Sequence, residues 1–239
     1  MPDVLVLCYH ALSDDWPAAL STTPERFREQ LELLLARGYR PVTFEQAVEA
    51  RGGRAFAVTF DDAYRSVLER ARPIMDELGV PGTVFVPTDW PGRPEPMRWD
   101  GIDQWLGGPH EREMVCLRWE ELRELADAGW EVGSHTCSHP HLTRVDDGAL
   151  ERELAASRAQ CSDQLGRPCR SIAYPYGDVD ARVVDAARSA GYELGAALPK
   201  RFRSTDPLDW PRVGVYHGDD ISRFKLKVSP LIRRIRRYL

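Results

Sequence analysis

The chain has 239 residues, 43% of them apolar and 29% charged, with a formal net charge of −5. That length and balance fit one soluble globular domain with a substantial core. The small negative charge gives no electrostatic case for a nucleic-acid partner, and no apolar run approaches bilayer-spanning length. The cysteines Cys8, Cys116, Cys137, Cys161 and Cys169 follow no metal or disulfide spacing and are odd in number, so reduced thiols are expected.

Residues 1–10 lack a basic region and a small-residue cleavage site, so the opening reads as a first strand, over 4–9, and not as a signal peptide. The expected location is therefore the cytoplasm, with attachment at the inner membrane face as the variant. A helix follows over 24–37, with Phe27, Leu31, Leu34 and Leu35 at helical spacing, Thr23 as cap and Gly38 as stop. The apolar run 55–60 is a buried strand. A helix over 64–78 closes at Gly79, and a strand spans 83–87. Residues 89–116 form a long irregular stretch carrying Trp90, Trp99 and Trp105, the kind of loop that usually carries function. Then come a helix over 119–128, a strand over 130–134 and a helix over 146–165 capped by Asp146 or Asp147. Strands over 170–174 and 192–196 flank a helix over 181–190, and a last strand spans 213–216. Alternating strands and helices imply an α/β layout with a mostly parallel sheet. Neither an internal repeat nor a linker is visible, so residues 1–239 read as one domain.

Residues 222–239 form a basic segment. Arg223, Lys225, Lys227, Arg233, Arg234, Arg236 and Arg237 are interleaved with Phe224, Leu226, Val228, Leu231, Ile232, Ile235 and Leu239, without an acid. A terminal helix docking one face on the body is the favoured reading, and contact with an anionic membrane surface is the sharper one. Pro230 forbids one continuous helix unless it falls in a first turn.

Two short segments carry chemistry. Thr59-Phe60-Asp61-Asp62 ends one strand, and Ser134-His135-Thr136-Cys137-Ser138-His139 ends another. Imidazoles four residues apart can meet one cation across a helical turn. A carboxylate from a second strand end would make a three-ligand set with an open position, the layout of a catalytic divalent metal. Zinc suits two imidazoles and a carboxylate best, and cobalt or nickel is accepted. Such a cation would also let both aspartates stay ionised. Taken singly, the Asp pair reads as an exposed turn and the His pair as surface histidines. Together, both at strand ends, they are hard to obtain by accident.

These segments resemble the first two motifs of the polysaccharide deacetylases, the NodB-homology or carbohydrate esterase 4 family. Ala173-Tyr174-Pro175-Tyr176-Gly177 and Asp206-Pro207-Leu208-Asp209-Trp210-Pro211-Arg212 continue the resemblance in the same order. It implies a distorted (β/α) barrel of about seven strands, with the site at the carboxyl ends of the strands. It also implies Asp62, His135 and His139 as ligands of one divalent metal, most simply zinc. Asp61 becomes the base, and the backbone N–H of Tyr176 an oxyanion donor. Pro175, Trp210 and His217 fall on the substrate side, with Trp210 walling an acetyl pocket. Trp90, Trp99 or Trp105 could line a sugar subsite, whereas Trp119 and Trp130 read as core.

The chain departs from the family twice. Ala173 stands where an arginine usually precedes the third motif. Arg212 could supply that guanidinium, or pair with Asp61 or Asp209 for structural reasons. The usual Leu-x-His general acid is also missing. His10, just past the first strand, is the first substitute and His217 the second, while His141 reads as an outer neighbour of the ligands or an exposed residue and His110 is expected to have no chemical part. The implied activity is metal-dependent removal of N-acetyl groups from an amino sugar in a polysaccharide, oligosaccharide or glycolipid. A deformylase or amidase on another small amide is the enzyme alternative. A catalytically silent carbohydrate-binding homologue is the non-enzyme alternative, against which the retained Asp61 and Asp62 argue.

Overall fold

The computed structural model describes residues 3–50, 52–199 and 206–238. In chain order the elements are β1 (Asp3–Tyr9), β2 (Ala11–Leu12), β3 (Ser21–Thr22), α1 (Pro24–Ala36), β4 (Arg40–Val42), α2 (Phe44–Glu49) and β5 (Arg54–Phe60). There follow α3 (Arg72–Leu78), β6 (Gly82–Val86), α4 (Trp119–Asp127), β7 (Glu131–Ser134), α5 (Asp147–Leu165), β8 (Ser171–Ala173) and α6 (Ala181–Ser189). The last are β9 (Leu194–Ala197), β10 (Trp210–Pro211), β11 (Val213–Gly214), α7 (Ile221–Lys227) and α8 (Pro230–Tyr238).

The main sheet runs β10-β9-β8-β7-β6-β5-β1-β11, with β4 added beside the first half of β5. Its described pairings are all parallel. The two ends of that order are neighbours in sequence. Trp210 and Pro211 pair with Ala196 and Ala197, Val213 and Gly214 pair with Leu7 and Cys8, and only Arg212 lies between. One extended segment thus hydrogen-bonds to a strand on each side and brings the sheet's edges together into a barrel. The expected barrel of about seven strands is present, with residues 210–214 as its seventh member.

Side-chain alternation explains why it closes. Leu5, Leu7, Tyr9, Phe56, Val58, Phe60, Val84 and Val86 point outward and share a core with Phe27, Leu31 and Leu34 of α1. The opposite set, Val6, Ala55, Ala57, Phe85, Ala173, Leu194 and Ala196, forms a separate inner cluster with Phe44. Its alanines leave room for the Phe85 ring, which meets Phe44 edgewise at 5.6 Å. Gly133 is required for the same reason: a Cβ there would lie 2.7 Å from the Phe85 ring and 2.5 Å from Ser171 Oγ.

Three expectations are corrected. The stretch 64–78 is not a uniform helix: a widened π-type turn, Val67–Ala71, precedes α3. Pro73 has no N–H to give to the preceding turn, so the regular ladder breaks there. Secondly, β4 and α2 occupy residues that suggested no element. Arg40-Pro41-Val42 buries one residue fully, which leaves no alternation to read. The helix does carry a signal, the reciprocal cap between Thr43 and Gln46. Thirdly, the basic segment folds as two helices, with Pro230 as the first residue of the second. Phe224 and Val228 are buried, and Arg233 donates to Val4 O and the Asp3 carboxylate at the start of β1. Leu226, Leu231 and Ile235 stay 59%, 65% and 41% exposed. Among the described residues, no helix is long and apolar enough to cross a membrane.

The Gly133→Ala variant is expected to lose about 1–3 kcal/mol of stability by overpacking the barrel interior. Chemical denaturation compared with the parent chain checks this, and an unchanged midpoint would contradict the packing argument.

Candidate active site and metal centre

The site is assembled from strand ends, with His10 following β1, Asp61 and Asp62 following β5, and His135 following β7. Tyr176 lies just past β8, and Arg212 lies between β10 and β11. The local backbone is unusual. Asp62 (φ 68°), Ala63 (52°), Thr136 (66°), His139 (65°) and Tyr176 (61°) take left-handed conformations, and these are the non-glycine residues that do so among those described. Such backbone costs about 1–3 kcal/mol per residue, and it clusters where function fixes side-chain direction.

Asp62, His135 and His139 converge. Each imidazole Nε2 lies 3.3 Å from Asp62 Oδ1, and all three side chains are buried. No N–H meets Asp62 Oδ1 in hydrogen-bonding geometry, so a fully buried carboxylate oxygen is left to two ring nitrogens. One carboxylate oxygen and two imidazole nitrogens are a fitting donor set for zinc, cobalt or nickel. Burial alone would raise the Asp62 carboxyl, but the two imidazoles outweigh it and hold the group well below the usual carboxylate range. The Nδ1–H of His135 donates to Ala173 O at 2.8 Å, which fixes the tautomer and leaves Nε2 facing Asp62.

The two histidines do not meet across a helical turn, as their spacing suggested. Residues 135–140 are a tight loop, and left-handed Thr136 and His139 turn the second ring back toward the first. Glu153 of α5 holds this loop through the backbone N–H groups of Cys137 and Ser138, at 2.8 and 3.0 Å, and through Ser138 Oγ at 2.6 Å. Sequence reading missed Glu153, since a carboxylate on a helix gives no sign of the loop it will meet. Cys137 Sγ reaches Glu153 O and not the ligand cluster, in line with its reading as a bystander.

Asp61 sits in a different environment. Arg212 grips it with Nη1 on Oδ1 at 2.6 Å and Nη2 on Oδ2 at 2.8 Å, and Nη1 also reaches Thr59 Oγ1 at 3.0 Å. Both residues are almost fully buried. Burial raises the Asp61 carboxyl, but the Arg212 charge, followed by His135, brings it down to about 2. The guanidinium also rests over the Phe85 ring at 5.6 Å. Of the partners open to Arg212 in the sequence, the structure selects Asp61. Cys8, His10 and Asp61 form a second trio of potential ligand atoms. Both Asp61 oxygens already face a guanidinium, which makes this trio a poorer cation site than the one at Asp62.

A cleft of about 240 Å³, open to solvent, lies over these groups and is lined by His10, Asp61, Asp62, His135, His139 and Tyr176. Its walls are Leu20, Trp99, Ile102, Leu198 and Tyr216. His10 is buried, its Nδ1 has no partner, and burial keeps the imidazole below its ordinary value despite Asp62 and Asp61 nearby. The exposed Tyr176 ring stacks on His141 at 3.8 Å and 12°. His110 faces Trp105 in the long loop.

The three residues expected on the substrate side are not among the cleft's lining. His217 Nδ1 is engaged by Ser21 Oγ at 3.1 Å. Trp210 packs against the inner cluster, at the level of Leu194 and Ala196, because strand alternation sends it inside the barrel two residues before Arg212. Pro175 is buried and sets the turn that presents Tyr176. Leu198, Tyr216 and Ile102 take the wall positions instead.

Arg212→Met should destabilise the metal-free protein by roughly 3–5 kcal/mol, because it strands the Asp61 charge in the barrel. Asp61→Asn combined with Arg212→Met should recover much of that loss. Urea titration of the single and double variants measures both, and simple additivity would refute the pairing.

A family model for polysaccharide deacetylases matches residues 49–195. A Bacillus subtilis relative bearing the polysaccharide deacetylase name is 23% identical over 207 residues, covering 84% of this chain and 66% of its own. The poly-β-1,6-N-acetyl-D-glucosamine N-deacetylase of Escherichia coli is 22% identical, with 87% of this chain and 36% of the relative covered. This chain thus spans just under two thirds of the first relative and about a third of the second. Among solved structures, a Streptococcus pyogenes deacetylase in complex with acetate superposes with a TM-score of 0.76 at 21% identity, over 95% of this chain and 98% of that one. A polysaccharide deacetylase from Bacillus cereus gives 0.74 at 24% identity, over 95% and 69%. The barrel is therefore the one these deacetylases share, and with well over half its length matched, the chain belongs to the polysaccharide deacetylase family.

Proposed function

We propose that this protein is a metal-dependent hydrolase that removes N-acetyl groups from an N-acetylglucosamine-containing glycan. The observation that carries the reading is the convergence of Asp62, His135 and His139 beside an arginine-held Asp61, at the floor of an open cleft. Family membership and the names of the Escherichia coli and Staphylococcus aureus relatives, both poly-β-1,6-N-acetyl-D-glucosamine N-deacetylases, support this substrate class.

Asp62, His135 and His139 would hold the metal. When bound, a divalent cation there supplies Lewis acidity, which acidifies a water and polarises an acyl oxygen. Asp61 accepts the proton of the attacking water. The bidentate grip of Arg212 fixes where its oxygens point. The Tyr176 backbone N–H donates to the oxygen on which charge develops, its direction set by the left-handed turn. His10 delivers a proton to the leaving nitrogen. Burial keeps this imidazole neutral at rest, so the proton it delivers is the one Asp61 takes from the water, passed on from a carboxylate whose oxygen lies within 4.8 Å of the ring. Leu20, Ile102, Leu198 and Tyr216 give the glycan and its acetyl group an apolar wall.

The chain stripped of metal should release no acetate from poly-β-1,6-N-acetylglucosamine oligomers or chitooligosaccharides, and zinc, cobalt or nickel should restore release. Asp61→Asn should lower turnover by at least 100-fold while stoichiometric metal binding persists. Turnover that survives the substitution removes Asp61 as base. Absent acetate despite bound metal would shift the reading to another amide substrate.

The exposed Leu226, Leu231 and Ile235 amid lysines and arginines support a second reading, peripheral contact with an anionic membrane surface. Binding to vesicles containing phosphatidylglycerol, weakened by salt and by Leu231→Asp, is the expected outcome in a sedimentation assay. Equal recovery with neutral phosphatidylcholine vesicles would rule it out.

A further inference from the structure

The two imidazoles facing Asp62 are not held alike. His135 has a hydrogen-bond partner behind it, Ala173 O, whereas His139 Nδ1 is buried and has none. Ligating imidazoles ordinarily take their orientation from such an outer partner. The backbone of His139 does not compensate, because it is left-handed and tied only by its own N–H to Thr136 Oγ1 at 3.2 Å.

What holds the ring is an aromatic face. Trp99 lies parallel to the His139 imidazole, with ring centres 4.1 Å apart and planes at 17°. Tyr176 meets the ring edge-on at 4.6 Å and 69°. Trp99 is itself fixed. The buried Trp90 abuts it edgewise at 5.8 Å, and the Trp99 carbonyl accepts from the N–H groups of Ile102 and Asp103, at 3.2 Å each. The loop carrying both tryptophans starts on the histidine loop, where Thr88 N–H donates to Thr136 O at 3.0 Å and Asp89 N–H to Cys137 O at 3.1 Å. The stack therefore belongs to one connected unit.

We propose that Trp99 is a positioning residue for the metal centre, its indole face orienting His139 in place of the missing hydrogen bond. The proposal rests on Asp62, His135 and His139 being the metal ligands. A second effect acts in the same direction. An imidazole bound to a cation carries part of its charge, and the negative face of an indole attracts that ring more strongly than a free one. Trp99 thus favours the loaded site over the empty one, which a passive wall would not.

Metal affinity measured by chelator competition, together with the visible spectrum of the cobalt-loaded protein, tests this. Trp99→Leu should weaken zinc binding by about 10–100-fold, the range found when an outer partner of a metal ligand is removed. It should also alter the cobalt bands and leave metal-free melting close to the parent's. Trp99→Phe, which keeps an aromatic face, should restore most of the affinity. In a His139→Ala background, Trp99→Leu should add little further loss. Parent-like affinity and cobalt bands in Trp99→Leu would overturn the proposal, as would a full additional loss in the His139→Ala background. If Trp99→Leu does not fold, failure of Trp99→Phe to exceed His139→Ala in affinity would overturn it instead. A parent chain that binds no zinc or cobalt would sink the ligand assignment itself, a result distinct from all of these.

Discussion

The buried ion pair between Arg212 and Asp61 is the contact on which the rest of the structure depends. Residues 210–214 hydrogen-bond to β9 on one side and to β1 on the other, so Arg212 sits at the seam where the sheet's edges meet. Its side chain crosses the barrel interior, passes over Phe85, and grips the carboxylate that ends β5. A pair this deep is weak evidence for stability, because desolvating both charges offsets much of their attraction. It does fix register. A one-residue slip of the seam strand would turn Arg212 outward and leave Asp61 buried without a counter-charge. Barrel closure and the placement of the candidate base are thus one constraint.

Above that seam, strained loops aim the chemistry. The left-handed residues fall in the loops after β5, β7 and β8, each directing a carboxylate, an imidazole or a backbone N–H toward one point. A strain of about 1–3 kcal/mol per residue persists only where surroundings over-determine the backbone. Glu153 does this for the histidine loop and Ala173 O does it for the His135 ring. The parallel strands supply rigidity, and their ends are the places where the chain is free to depart from regular geometry.

The cleft divides its work between two sources. The carboxylates and imidazoles come from strand ends, close in space whatever their distance in sequence. Apolar wall residues come from the long loop 87–118 and from the segments beside Leu20, Leu198 and Tyr216. The first set is fixed by the barrel and the second by loop packing, so the walls can vary while the barrel and its strand-end groups stay in place.

Legible in the chain alone were the alternation of strands and helices and the two segments that carry Asp61, Asp62, His135 and His139. Apolar periodicity and residue chemistry are local properties, and local properties survive in a one-dimensional reading. It offered Arg212 several partners, and it placed His10 ahead of His217 only by position in the chain. The folded chain shows that Arg212 reaches Asp61, that His217 is taken by Ser21, and that Trp210 packs on the inner cluster while Leu198 and Tyr216 line the cleft. It also shows that a tryptophan 40 residues upstream covers His139. Those outcomes depend on strand register, on the closure of the sheet through residues 210–214, and on how a long loop packs. Each is set by contacts between segments far apart in the chain, and such contacts leave no periodic trace in either segment alone.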